Sequence, residues 1–287
     1  MTCAAVPPQF DDDARLLAAL AERGTPAERV VWDDPDARWD DFDRVVIRST
    51  WDYPRKHERF VAWADAIGER LRNSPALVRW NADKRHLDDL ARRGVPVVPT
   101  TFVRPGEPVP PLVGEVVVKP TISAGGRNTG RFGRSTHAEA TGLVARIHSE
   151  GQTAMVQPYV ASVDRTGETT LVFIAGHFSH AARKRPVLLP DEVAPTRDDE
   201  IGGAVVMYDP DIVGPGTASH EEIDAAAAAV AYLAERFGQD PLYARVDLVV
   251  GEGGRPMLLE LEAIEPSLFL RLSPDAAGRL ADAILAS

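Results

Sequence analysis

One cysteine, Cys3, is all that 287 residues contain. An internal disulfide is therefore excluded, which fits a reducing cytoplasm. No apolar run reaches the ~18 residues that a membrane span requires. The N-terminus has no basic segment followed by an apolar core, so no secretory signal is read there. Repeats, heptads and low-complexity tracts are missing too. Positive charge is in short supply: the net charge of −11 argues against nucleic acid as a partner. An anionic substrate would have to meet a local basic site. Lysine is scarcer than arginine, with only Lys56, Lys84, Lys119 and Lys184 present. A lysine retained against that background suits a position needing a compact ammonium.

What is present is globular material, 44% hydrophobic and 26% charged, long enough for roughly two domains. Its most informative stretch runs from Tyr243 to Ser267. Two β-rich runs flank a Gly-Glu-Gly-Gly turn, a hairpin signal. With residues 252 to 255 as the loop, Gly251 faces Pro256, Val249 faces Leu258, Asp247 faces Glu260 and Arg245 faces Glu262. Strand alternation then places Arg245, Asp247, Glu260 and Glu262 on one face. Val246, Leu248, Leu259 and Leu261 fall on the other, toward a core. Opposed carboxylates repel by about 1 kcal/mol in water, and by more at lower effective dielectric. Two readings fit: a divalent-metal site built from hard oxygen donors, or a solvated strand face with a surface ion pair.

The chain before it divides by pattern. Residues 1–80 read as α/β. They begin with a short first strand, Met1 to Val6, either truncated or with its natural start upstream, and a helix from Ala14 to Arg23. Strands at Arg29–Trp32 and Arg44–Arg48 follow. The second runs into Trp51, Asp52 and Tyr53, a polar-aromatic loop where open α/β sheets bind ligands; the alternative is packing at the core edge. A helix spans His57 to Arg72. Asn81 is read as the N-cap of a helix ending at Gly94. Glu115 to Pro120 is a buried strand ending in Lys119, and the glycine-rich stretch 123–133 after it suits a mobile phosphate-covering loop. No Gly-Lys-Ser/Thr follows, so it is not a P-loop. A helix at His137–Ser149, a strand at Thr153–Gln157 and a hairpin across Ala175-Gly176 come next. Residues 190–203 are expected to be an exposed mobile loop. Ser219 and Glu222 form a capping box for a helix ending near Gly238, and Ser273-Pro274 starts a last helix. His177 and His180 lie on opposite faces of a strand and are read as packing or surface residues.

Taken in order, these pieces resemble the ATP-grasp superfamily over essentially the whole chain. They are Lys84 opening a helix, Lys119 ending a strand, the loop 123–133, Gln157-Pro158-Tyr159-Val160, a basic strand with Arg183, and the carboxylate hairpin. The resemblance implies α/β and α+β architecture: a pre-ATP-grasp domain (1–80), a lid lobe (81–158) and a C-terminal lobe (159–287) enclosing ATP. It implies that Lys84 meets a phosphate and Lys119 the adenine side and α-phosphate. Ser123, Gly125 and Gly126 would lie in the lid, Gln157, Pro158, Tyr159 and Val160 at the adenine edge, and Glu168 beside the nucleotide. Asp247 and Glu260 would hold Mg²⁺. Glu262 stands where many members have Asn, so metal ligation, substrate contact and pairing with Arg245 all remain open for it. Arg183 and Arg245 would be catalytic.

The segments Arg48–Tyr53, Arg79–Lys84 and Glu262–Leu268 look most similar to the D-cycloserine-forming cyclo-ligase group, which closes O-ureido-D-serine to a ring. That similarity implies an amino-acid-like substrate held by Trp51, Asp52, Tyr53, Glu265 and Ser267. Asp52 or Glu265 would hold an amino group, and Arg183 a carboxylate. The expected chemistry is an acyl phosphate displaced by an amine, with catalysis by positioning and charge neutralisation. A small-molecule kinase on the same fold and a nucleotide-binding protein without chemistry are the alternatives. A homo-oligomer is left open.

Overall fold

The structure, a computed structural model, describes residues 2–3, 12–199 and 201–287. Of the expected first strand only Thr2 and Cys3 fall among them. Thr2 bridges Val31 and Ser49, both in parallel. Beside it β1 (Val45–Val46) pairs in parallel with β2 (Leu71–Arg72). This parallel α/β unit buries Trp32, Ile47, Tyr53, Phe60 and Leu71 against α2 (His57–Ile67). The helix α1 (Asp12–Glu22) lies apart from that core, packed with the C-terminal α8 (Ala276–Ala286).

Asn81 is not an N-cap. It is the last residue of α3 (Pro75–Asn81), whose N-cap is Ser74, with Pro75 in the first turn. Ser followed by Pro is the stronger start signal. Asn81 is thereby freed to grip the carboxylate hairpin, its amide donating to the Leu261 carbonyl and its oxygen accepting from the Ala263 N–H, at 2.9 and 2.7 Å. The expected helix to Gly94 is α4 (His86–Arg92), and its Leu87 and Leu90 pack with Leu171 and Phe173 of the C-terminal sheet.

Two antiparallel five-stranded sheets enclose the cleft. The first has the order β3 (Thr101–Val103), β6 (Ala154–Pro158), β4 (Val116–Pro120), β5 (Gly130–Phe132), β9 (Glu192–Val193), and packs against α5 (His137–Ser149). The short α6 (Val163–Thr166) leads to the second sheet. Its order is β10 (Val213–Pro215), β8 (His177–Lys184), β7 (Glu168–Ile174), β11 (Tyr243–Val250), β12 (Pro256–Glu262). Its back face is covered by α7 (His220–Phe237), which starts with the Ser219/Glu222 capping box and ends at Gly238 in the left-handed region. The β7–β8 turn places Ala175 and Gly176 at φ 47° and 76°, as a two-residue hairpin of this twist requires.

Candidate functional site

The hairpin β11–β12 sets Arg245 opposite Glu262 and Asp247 opposite Glu260. Beyond Asp247 the register shifts by one residue at a β-bulge, so Leu248 faces Leu258 and Val249 faces Met257. The expected pairing of Val249 with Leu258 is therefore corrected. Leu258, not Leu259, enters the core, and Leu259 joins Val249 on the cleft face. A bulge reverses the side-chain phase. Here it makes one strand face carboxylate at its inner end and apolar at its outer end.

The carboxylates of Asp247, Glu260 and Glu262 lie within 4.8 Å of one another. Arg245 makes a two-point ion pair with Asp247, at 3.2 and 3.0 Å, and reaches Glu262 at 2.8 Å. Lys84 Nζ stands 3.3 Å and Lys119 Nζ 3.9 Å from Glu260. Burial acts to raise the Glu260 pKa, but the charges of Lys119, Lys84, Lys184 and Arg245 outweigh it and hold the group well below the usual carboxylate range. Glu262 is pushed up to about 7 by burial and by the neighbouring Glu260 and Asp247, despite Arg245. Three hard oxygen donors with one still short of positive charge fit a divalent cation such as Mg²⁺.

Lys84 also donates to the Ser123 carbonyl at 2.8 Å and its hydroxyl at 3.2 Å, tying the start of the glycine-rich loop to the carboxylates. Glu168 and Lys184 are cross-strand partners, 3.0 Å apart. The cleft above them is walled by Gln157, Pro158, Tyr159 and Val160 on one side and Val249 and Leu259 on the other. Gly125 and Gly126, at φ 61° and 71°, lie against Gly203 and Ala204 of the long loop after β9, and the Ala204 N–H donates to the Gly125 carbonyl at 2.7 Å. A Cβ at Gly125 would sit 3.2 Å from Gly203 Cα. Of the segment 190–203, expected to be exposed, Ile201, Gly202 and Gly203 are buried, as is Ala204 after it, and this end roofs the cleft jointly with the glycine-rich loop.

A second chamber opens beside the first. It is lined by Trp51, Glu265, Ser267, Ile201 and Tyr208, and shares Ala124, Gly125, Met207, Arg245 and Glu262 with the first. Burial and the Glu262 charge push Glu265 up to about 8.

Four residues expected at these chambers line neither: Asp247, Arg183, Asp52 and Tyr53. Asp247 is fully buried, in its ion pair with Arg245. Arg183 lies on the helix side of β8, donating to the Thr169 hydroxyl at 2.5 Å and the Thr217 carbonyl at 3.4 Å. Alternation brings Lys184 to the cleft in its place. Asp52 is buried in the N-terminal unit, accepting from Trp32 Nε1 and paired with Lys56, both at 2.9 Å. Tyr53 packs on Phe60 with ring centroids 4.8 Å apart. The 3-10 turn Tyr53–Lys56 turns both inward. Lys184, Val249, Leu259 and Tyr208 were missed from sequence. The scarcity of lysine was the signal for the first, and nothing in the pattern marked the others.

Comparison with known proteins agrees with this geometry. A family model described as D-cycloserine synthetase DcsG, N-terminal domain, matches residues 1–73. The chain is 40% identical over 283 residues to the cycloserine biosynthesis protein DcsG of Streptomyces lavendulae, covering 94% of this chain and 91% of that one. A crystal structure of D-cycloserine synthetase DcsG superposes with TM-score 0.89 at 37% identity, over 99% of this chain and 97% of the other. A D-alanine–D-alanine ligase from Bacillus anthracis, complexed with ATP, shares the fold at TM-score 0.67 and 13% identity, covering 98% of this chain and 94% of that one. The chain belongs to the D-cycloserine synthetase DcsG family of ATP-grasp ligases.

Proposed function

We propose that this ATP-dependent ligase activates the carboxyl group of a small amino-acid-like substrate and closes it on a nitrogen of the same molecule, forming D-cycloserine from O-ureido-D-serine as a step of antibiotic biosynthesis. The observation that carries the reading is the common wall of the two chambers. Arg245 and Glu262 face both, so a phosphoryl donor in one and a carboxylate in the other would meet at that wall.

The residues suit each part of the task. Gln157 to Val160, with Val249 and Leu259, offer an apolar slot for the adenine. Lys84, Lys119 and Lys184 are three ammonium groups directed at the triphosphate. Asp247, Glu260 and Glu262 would hold Mg²⁺, which when bound neutralises charge on the phosphate oxygens. Arg245 stands where charge builds on the transferring group. A substrate carboxylate oxygen attacks the γ-phosphorus as the bond to ADP breaks. The substrate nitrogen then attacks the carbonyl carbon and phosphate leaves, a far better leaving group than hydroxide; the carbamoyl group that this nitrogen carries in O-ureido-D-serine is lost with one water as carbon dioxide and ammonia. Glu265, which faces the second chamber, takes the nitrogen's proton. The roof formed by the glycine-rich loop and residues 201–208 keeps water from the acyl phosphate. ATP is a cytoplasmic metabolite, and a lone buried cysteine fits that compartment.

The test is turnover of O-ureido-D-serine with ATP and Mg²⁺, following ADP and the mass of the product, with hydroxylamine added in parallel. Ring formation and a hydroxamate are expected. Absence of both, with ADP no higher than from ATP alone, would sink the reading. With D-serine in place of O-ureido-D-serine, a phosphate ester and no hydroxamate would make the protein a kinase.

A further inference from the structure

Between β12 and the last helix, residues 263–269 have no regular secondary structure. Buried backbone without a ladder needs other partners. Here each of five consecutive carbonyls meets a different side chain. The Ile264 carbonyl lies 2.7 Å from the Tyr243 hydroxyl, whose single hydrogen it shares with the Ile47 carbonyl. Trp51 Nε1 donates to Glu265 at 2.9 Å, Arg48 to Pro266 at 3.1 Å, and Arg245 to Ser267 at 3.5 Å. His180 Nε2 donates to Leu268 at 2.9 Å, in the tautomer whose Nδ1 accepts from Ser179. Asp12 then accepts from the N–H groups of Leu268 and Leu270, at 3.0 and 2.9 Å, fixing Phe269 between them at φ 50°.

Satisfying carbonyls does not require such donors. Arg48 is 5% exposed and pairs with buried Asp13, 3.6 Å from its Nε, while its Nε and Nη1 have no hydrogen-bond partner among the described residues. Burying a guanidinium for one carbonyl and one long ion pair is costly where a water or a serine would serve the carbonyl. Its guanidinium also lies over the Tyr243 ring, 5.1 Å from the centroid, so two of the donors brace each other. Trp51 and Arg245 are walls of the second chamber as well as donors, and the stretch they hold carries Glu265 and Ser267 into that chamber.

We propose that residues 264–268 form a fixed rail beneath the substrate, and that Arg48 and Trp51 are positioning residues which set Glu265 and Ser267 against the reacting carboxyl group. What the rail holds rests on the ligase reading above; the rail itself does not. The test uses Trp51→Phe, which keeps the ring and removes the donor, with Arg48→Lys and Arg48→Met. Amide exchange across residues 264–270 is measured alongside KM for each substrate, kcat and thermal midpoint. Faster exchange there is expected, with kcat/KM for the amino-acid substrate down about tenfold while KM for ATP stays within about threefold. Arg48→Lys should recover part of the Arg48→Met loss. Unchanged exchange at 264–270, or equal losses toward ATP and the amino-acid substrate, would overturn the proposal. If the wild-type protein closes no ring, the ligase reading fails, and exchange alone decides the rail. Should Arg48→Met not fold, Trp51→Phe and Arg48→Lys still decide it.

Discussion

Lys184 and Glu168 face each other across two antiparallel strands, Nζ to carboxylate 3.0 Å, on the cleft side of a strand whose Arg183 points the other way. Burial opposes the charge on Lys184, but Glu168, Asp247 and Glu260 overcome that and hold its pKa above the ordinary lysine value. It is a charged ammonium at every working pH. Lys184→Met should lower kcat/KM by on the order of 100-fold, as loss of a preorganised charge does. Arg183→Met should stay within about threefold, below ~0.7 kcal/mol. Steady-state ADP release on both variants checks this; the reverse ranking would return the catalytic role to Arg183.

The carboxylate trio gives the second prediction. Asp247→Asn and Glu260→Gln should abolish turnover. Chelation of the wild-type protein should do the same, reversibly on adding Mg²⁺. Glu260 is also the shared partner of Lys84 and Lys119, so its variant, which leaves those ammonium groups unneutralised, should strengthen nucleotide binding measured without metal, and Asp247→Asn should change it less. Calorimetry with an ATP analogue, with and without Mg²⁺, separates the two. Turnover by either variant in metal-free buffer would remove the metal from the mechanism.

The carboxylate hairpin was legible in sequence because its carboxylates cannot lie on the core face, so only one register is tolerable near Asp247 and Glu260. The bulge was not, because Leu258 and Leu259 are the same residue and hydrophobic pattern cannot say which turns inward. Ala181-Ala182-Arg183-Lys184 hid the phase of β8 in the same way: two alanines precede two cations, so alternation favours neither. Asp52 and Tyr53 were misplaced for a different reason. A loop at a strand end reads as projecting, but a 3-10 turn begins at Tyr53 and folds both side chains into the N-terminal core. Trp51, one residue earlier, precedes the turn and lines the second chamber.

Asp52 supplies the third prediction. It is 3% exposed and serves Trp32 and Lys56 together. Asp52→Asn keeps an oxygen for Trp32 but removes the charge facing Lys56, whose side chain is partly solvated. The loss should be about 1–2 kcal/mol of stability, between the values for surface and buried pairs. KM for the amino-acid substrate should hold within about threefold. Denaturant unfolding and substrate kinetics on one preparation test it. An intact fold with a raised substrate KM would put Asp52 back in the site.

The last prediction concerns acid. His86 is 4% exposed and lies against Trp80, ring centroids 4.8 Å apart. Its Nδ1 is 2.9 Å from the Asp83 carbonyl and its Nε2 is buried without a hydrogen-bond partner among the described residues. Burial, aided by the charge of Lys84, lowers its pKa from 6.5 to about 4. Between those values the unfolded chain binds a proton that the folded protein does not. Stability from this residue is therefore present above pH 6.5 and is lost as pH falls toward 4. By pH 5 the loss should be about 2 kcal/mol, from the size of the interval. His86→Phe keeps the contact with Trp80 and removes the proton site. Urea unfolding of both proteins at pH 7.5, 6.5, 5.5 and 5.0 gives two curves. Carboxylates titrate alike in both, so their difference isolates His86. The variant should lose less stability than the wild type over that range, the gap closing or reversing as pH falls. Parallel curves would mean that His86 takes up its proton in the folded state at an ordinary pKa, with its ring open to solvent.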